Sequence, residues 1–413
     1  MGIKHNTSGS KLLVIIVILV AIRFWSFTPL MTFGNLNRYL SLALEFVLIF
    51  SFITFFKRPI NKFNSYSSVK YILFSLSLSA ISALFFSGQS LWDSFNATMI
   101  LSLGYILYFY LCKTNFSVKY LLDIILFISI VWTCLEIVQQ FTYPTYYFAG
   151  REEGWWNGEL ENRMGLWRFY IWGVDFVILC YCHRLQVTIN RFNIRNFIFA
   201  LIPFLGLACY CSRKHLIVLA LVTIIIILFS QRKKLSMASL LIIGIFIIGI
   251  FYFKDSFVEM NDIANKAQGE GEDFIRYLAG EYFLKFFGMN NPLYTILGAG
   301  IPGGNSILNN EIIRLQEFYG FYQQDVGLIG YYSWCGIIGV LSIIYCIYMT
   351  VRKFKLLDTY LIAFCIAKIV LIIFDFWAMW QVGIVAYSIF LYLSDKSIIL
   401  KSCSYENRDI NLS

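Results

Sequence analysis

The chain has 413 residues, of which 59% are hydrophobic and only 14% charged, with a formal net charge of +9. A water-soluble domain has no interior large enough to hide that much apolar surface, so an all-α, polytopic integral membrane protein is expected instead. Proline is scarce, at 6 residues, and the apolar runs are continuous over about 20 residues rather than alternating, which excludes an outer-membrane barrel.

The first apolar run lacks a small-residue cleavage site and reads as the opening span, not as a removable leader. In chain order the apolar segments predict about twelve transmembrane helices. They lie at 11–27, 38–56, 69–86, 95–111, 119–141, 166–182, 194–211, 213–230, 235–253, 326–351, 357–375 and 377–394. The chain then divides into a membrane domain over 1–253 with an outer loop at 142–165, a large loop over 254–325, the last spans over 326–394 and a tail at 395–413. Most cysteines, such as Cys134, Cys346 and Cys365, sit inside apolar runs. The pairs Cys180/Cys182 and Cys209/Cys211 lack the spacing of a zinc or redox motif, so small apolar core residues are expected.

Alternate loops collect the cations: Lys57, Arg58, Lys62 and Lys70; Lys113 and Lys119; Arg184, Arg191 and Arg195; Arg232 to Lys234; Arg352, Lys353 and Lys355. The positive-inside rule makes these loops and both termini cytoplasmic. Trp25, Trp92, Trp155, Trp156, Trp167, Trp377 and Trp380 then fall near the outer ends, as an interfacial belt and as flat faces for sugars.

Cations on the outer side are unexplained by that rule. The turn Cys211-Ser212-Arg213-Lys214-His215 sets Arg213 and Lys214 between two apolar helices, where guanidinium and ammonium suit a lipid-linked phosphate or serve as snorkelling anchors. In the large loop, 272–287 has Phe274, Tyr277, Leu278 and Tyr282 at helical spacing, with acidic residues at its start and Gly288 at its end, so it predicts an amphipathic helix. Arg276 on it has Glu272 one turn back, and Arg314 has Glu311 and Glu317 nearby. The loop REEGWWNGELENRMGLWR carries Arg151, Trp155, Trp156 and Arg163, a mixture fit to hold sugars by stacking and hydrogen bonding, or an ordinary interfacial loop. Asp325 opens the tenth span and reads both as a helix cap and as a carboxylate placed to take a proton from a sugar hydroxyl. Gly327, Gly330, Gly336 and Gly339 line one face for close approach.

Glu45, Glu136, Asp175, Lys368 and Asp375 lie inside apolar spans, where ionisable groups are costly; Lys368 suits an ion pair with another helix as well as a transport relay. No P-loop, HExxH, nucleophile elbow or DxD is present, and the outer loop at 28–37 has no carboxylate, so neither cofactor nor metal is expected.

SRKHLIVLALV at 212–222, PLYTILGAGIP at 292–302 after the Arg276 helix, and QDVGLIGYYSWCGIIG at 324–339 give the chain a family likeness. From about 195 to 350 it resembles the O-antigen polymerase and O-antigen ligase superfamily, also called Wzy-like polysaccharide polymerases. The resemblance implies a GT-C-like glycosyltransferase with one large periplasmic loop, in the bacterial inner membrane, making lipopolysaccharide or related glycans. Its partners would be undecaprenyl-pyrophosphate-linked glycans, the lipid bilayer and a chain-length regulator, with no nucleic acid. Arg213 and Arg276 would hold the pyrophosphate, with Lys214, Arg314, Arg151, Arg163, Trp155 and Trp156 at the substrate. The ligases carry a His as base where this chain has Asp325, a departure that favours polymerase over ligase. A lipid-linked oligosaccharide flippase is the rival from another class, against which the long loop and the lack of an internal repeat both argue.

Overall fold

A computed structural model describes residues 8–24, 36–54, 63–143, 145, 162–163, 166–167, 169, 171–229, 244, 272–287, 291–373 and 375–410. Most of them are helical. The N-terminal helices are α1 (Ser8–Ala21), α2 (Leu36–Thr54), α3 (Tyr66–Phe86), α4 (Leu91–Thr114) and α5 (Val118–Thr142). A two-residue hairpin, β1 (Asn162–Arg163) with β2 (Leu166–Trp167), precedes α6 (Val174–Asn190), α7 (Ile194–Cys209) and α8 (Arg213–Phe229). There follow α9 (Glu272–Glu281), continued by a π turn at Tyr282–Phe286, then α10 (Pro292–Leu297) and α11 (Ile307–Tyr319). Last come α12 (Leu328–Val351), α13 (Thr359–Leu371) and α14 (Gln381–Ile410). The expected span at 235–253, apart from residue 244, and the loop from 254 to 271 lie outside the described residues.

Among the described residues, five helices are long and apolar enough to cross a membrane: α3, α4, α5, α12 and α14 as far as Cys403. Shorter apolar helices accompany them in α1, α2, α7, α8 and α13. A helical bundle of this kind is compatible with a membrane-embedded protein, because each helix satisfies its own backbone without water.

Two elements differ from their expected limits. The span expected at 166–182 starts only at Val174, because Leu166 and Trp167 pair with the preceding strand. Gly173 turns the chain at φ +124°, and a side chain there would press on the Trp132 ring at 3.1 Å. The last helix runs on through the residues expected as a tail, and Asp395 within it is buried. Its carboxylate accepts from Ser65 N and Oγ and, at 2.6 Å, from the Tyr108 hydroxyl.

Helices α2, α3 and α14 pack around α4, and α12 packs on α3. Helices α5, α7, α8 and α13 surround α6, which also touches α14 and so joins the two groups. A single large apolar core runs through both groups. A second, smaller core of Ala279, Phe283, Leu308, Ile312, Leu315 and Val326 holds the segment around α9 and α11 together as a cap on one end of the bundle.

Candidate functional site

The cap is fastened to the bundle by the glycine-rich segment after α10. Gly336 interrupts α12 at φ +61°, ψ −166°, which frees carbonyls of the preceding turn. Ala299 N donates to Ser333 O at 2.9 Å and Gly300 N to Trp334 O at 3.1 Å, while Ser79 Oγ donates to Trp334 O at 2.7 Å. Helix α3 and the turn that follows it supply the remaining donors. Ser82 Oγ meets Gly298 O at 2.5 Å, Ser87 Oγ meets Ala299 O at 2.6 Å, and Gln89 Nε2 meets Ile301 O at 3.0 Å. A side chain on Gly298 would stand 2.1 Å from Trp334 O, and one on Gly300 2.2 Å from Ala83 Cβ, so only glycine permits the contact.

Next to this clamp, several site elements meet in sequence. Helix α9 packs on the 3-10 turn Gln323–Val326 that leads into α12. A Cβ on Gly280 would touch Ile329 and Val326 at 3.6 and 3.9 Å. The start of α12 in turn abuts the end of α13: Leu328 N donates to Ile372 O at 3.1 Å, and Gly327 lies against the Ile372 and Ile373 carbonyls. Just beyond, Asp375 Oδ2 meets Lys214 Nζ at 2.5 Å, from the first turn of α8. The elements that carry Arg276, Asp325 and Lys214 are therefore successive neighbours at one end of the bundle.

Their side chains differ in surroundings. Asp325 is exposed at the rim, with its backbone amide donating to Tyr322 O at 3.1 Å. Arg276 is exposed and has no ion pair among the described side chains, which do not include Glu272. Arg314 is held by Glu311 in two parallel bonds, Nε to Oε2 and Nη2 to Oε1, both 2.9 Å. That hydrogen bonding and charge raise its guanidinium above the ordinary range, and Glu281 does the same to the Lys285 ammonium at 2.9 Å. Arg213 begins α8, and its side chain is outside the described set. Arg163 lies in β1 with its side chain likewise outside, and Arg151, Trp155 and Trp156 fall wholly outside the described residues.

The fold adds partners that spacing alone did not show, and a few residues that the motifs did not single out. His215 and Ser212 in the two-cation turn are buried, with His215 Nδ1 2.9 Å from Ser212 Oγ and Tyr210 edge-on to the imidazole at 5.2 Å. Lys368 pairs with Asp175 across α13 and α6. Gln323, buried in the 3-10 turn, donates to Ser333 Oγ at 2.7 Å and accepts from Trp334 Nε1 at 2.9 Å, which ties the Asp325 turn to the broken helix. Its only sequence signal is its place two residues before Asp325. The hairpin is anchored through Gln140, whose amide brackets the Trp167 backbone at 2.7 and 2.8 Å.

No family model matches the chain, and no curated protein matches it.

Proposed function

We propose that the protein is a polytopic bacterial inner-membrane glycosyltransferase with about twelve spans and both termini cytoplasmic. It lengthens undecaprenyl-pyrophosphate-linked oligosaccharides at the periplasmic face, as an O-antigen, capsule or exopolysaccharide polymerase. The observation that carries this reading is the meeting of the Arg276 helix, the Asp325 turn and the Lys214 turn at one end of an apolar bundle. Loss of pyrophosphate from an anomeric carbon needs cations on the departing oxygens, and the attacking hydroxyl needs a base. Arg213 and Arg276 would take the pyrophosphate, and Asp325, exposed at the rim, would take the hydroxyl proton. The anomeric carbon–oxygen bond to pyrophosphate breaks as the new glycosidic bond forms, with inversion. Lys214 lies one residue from Arg213 and holds Asp375, so it orients the turn as well as adding charge.

The surface glycan of a deletion strain tests the reading. Single repeats on the lipid core are expected; free polymer would make the protein a ligase, and repeats trapped on the cytoplasmic side would make it a flippase. Complementation with Arg213→Ala should give normal protein level and no long polymer. Asp325→Asn should cut turnover by about 100-fold or more while leaving donor binding nearly unchanged; normal turnover in that variant would remove Asp325 as the base.

A further inference from the structure

The inward stripe of α5 changes character along its length. Leu121, Ile125, Ile128 and Trp132 face the core at helical spacing, and the next inward residues are Glu136 and Gln139. Glu136 is fully buried, and neither carboxyl oxygen has a hydrogen-bond partner among the described residues. The Ile171 backbone comes near without closing a bond. Further up the helix, Gln139 Oε1 and Thr142 Oγ1 are also buried and unmet among the described residues, although the Gln139 amide donates to Thr145 O at 3.1 Å. Unmet polar atoms thus run up one side of α5 from Glu136 to the helix end. An orphaned carboxylate in an apolar core is strongly disfavoured unless something supplies donors to it.

The chemistry of that supply is legible. Glu136 accepts through its carboxyl oxygens and, when protonated, also donates one O–H; Gln139 Oε1 accepts, and Thr142 Oγ1 accepts or donates. Their complement is a ligand with adjacent hydroxyl groups. Aromatic rings flank the strip. Trp132, one turn before Glu136, tilts against Tyr210 at 5.7 Å, and Tyr143 beyond Thr142 stacks on Trp167 at 3.8 Å. Such rings suit the apolar faces of sugars. Tyr210 also meets His215, and Cys209 is an electrostatic neighbour of Glu136, so the strip borders the two-cation turn.

We propose that the end of α5 next to the hairpin is a sugar subsite in which Glu136 and Gln139 accept hydrogen bonds from glycan hydroxyls. Resting on the transfer reading, this subsite takes the acceptor glycan beside the donor pyrophosphate.

Dicyclohexylcarbodiimide enters membranes and labels buried carboxyl groups, so it tests the proposal in membranes that hold the full chain. Labelling of Glu136 is read by peptide mass spectrometry, in cells supplied with lipid-linked glycan and in cells blocked at the first sugar transfer. Glu136 should label in the blocked membranes and fall severalfold when glycan is present. Gln139→Leu should keep the labelling and lose the protection, which a purely structural role would not do. Equal labelling in both membranes, no labelling in either, or protection by sodium ions in place of glycan would overturn the subsite. Polymer length in Arg213→Ala cells judges the transfer reading separately. Normal polymer there together with glycan protection of Glu136 would remove transfer and keep the sugar site; lost polymer without protection would do the reverse.

Discussion

Lys368 of α13 is buried against Asp175 at the start of α6, and both charges have left water to meet. Such a pair gains little over a well-packed apolar pair, but removing one partner strands the other. Lys368→Met is therefore expected to destabilise by about 3–5 kcal/mol, and Lys368→Met with Asp175→Leu by much less. The fraction of protein still monodisperse after heating in detergent measures this. A single variant as robust as the native protein would show that the pair contributes nothing. The intramembrane charges were legible as unusual from sequence, but their partners were not. Lys368 and Asp375 sit seven residues apart on one segment, yet Lys368 pairs across to α6 and Asp375 to Lys214 of α8. Spacing along one helix does not encode which helices pack against it.

The clamp between the cap and the bundle depends on backbone approach, not on side-chain mass. Gly298→Ala would force a methyl to 2.1 Å from Trp334 O at a φ of +81°, so little folded protein is expected. Ser82→Ala leaves the Gly298 carbonyl one donor short and should cost about 1–3 kcal/mol. Protease sensitivity of the 291–327 segment reads both changes; native resistance in Gly298→Ala would contradict the contact. The recurrence of Gly327, Gly330, Gly336 and Gly339 predicted a close approach to α12 by a helix or a lipid tail. At Gly336 the neighbour is instead the 296–298 stretch where α10 ends, and a helix end this short leaves no periodic signal to read. The start of α6 was misplaced for a similar reason. The apolar residues from Leu166 onward suit a span, but the anchored hairpin and the turn at Gly173 keep them out of the helix, and Phe169 and Ile171 enter the core as non-helical chain.

At the scale of the molecule, composition alone carried the helical, membrane-type architecture, because hydrophobic content on this level has few other outlets. What it could not carry is the cap, whose small core forms only when α9, α11 and the turn before α12 come together. The cap and the 351–359 turn lie at opposite ends of α12, which fixes a topological test. With the exposed thiols of Cys134 and Cys403 removed, Asn310→Cys should react with a membrane-impermeant maleimide in intact cells. Arg352→Cys should react only after permeabilisation. Labelling of both from one side would contradict a membrane between them.

The most direct test of the proposed chemistry is reconstitution of the purified protein with undecaprenyl-pyrophosphate-linked glycan, without nucleotide sugar and with a metal chelator. Chain length and released undecaprenyl pyrophosphate are followed together. The expected result is longer lipid-linked glycan with release of the carrier pyrophosphate, reduced about 100-fold or more in Arg276→Ala. An unchanged substrate, or elongation that proceeds normally in Arg276→Ala, would contradict a transferase built around this end of the bundle.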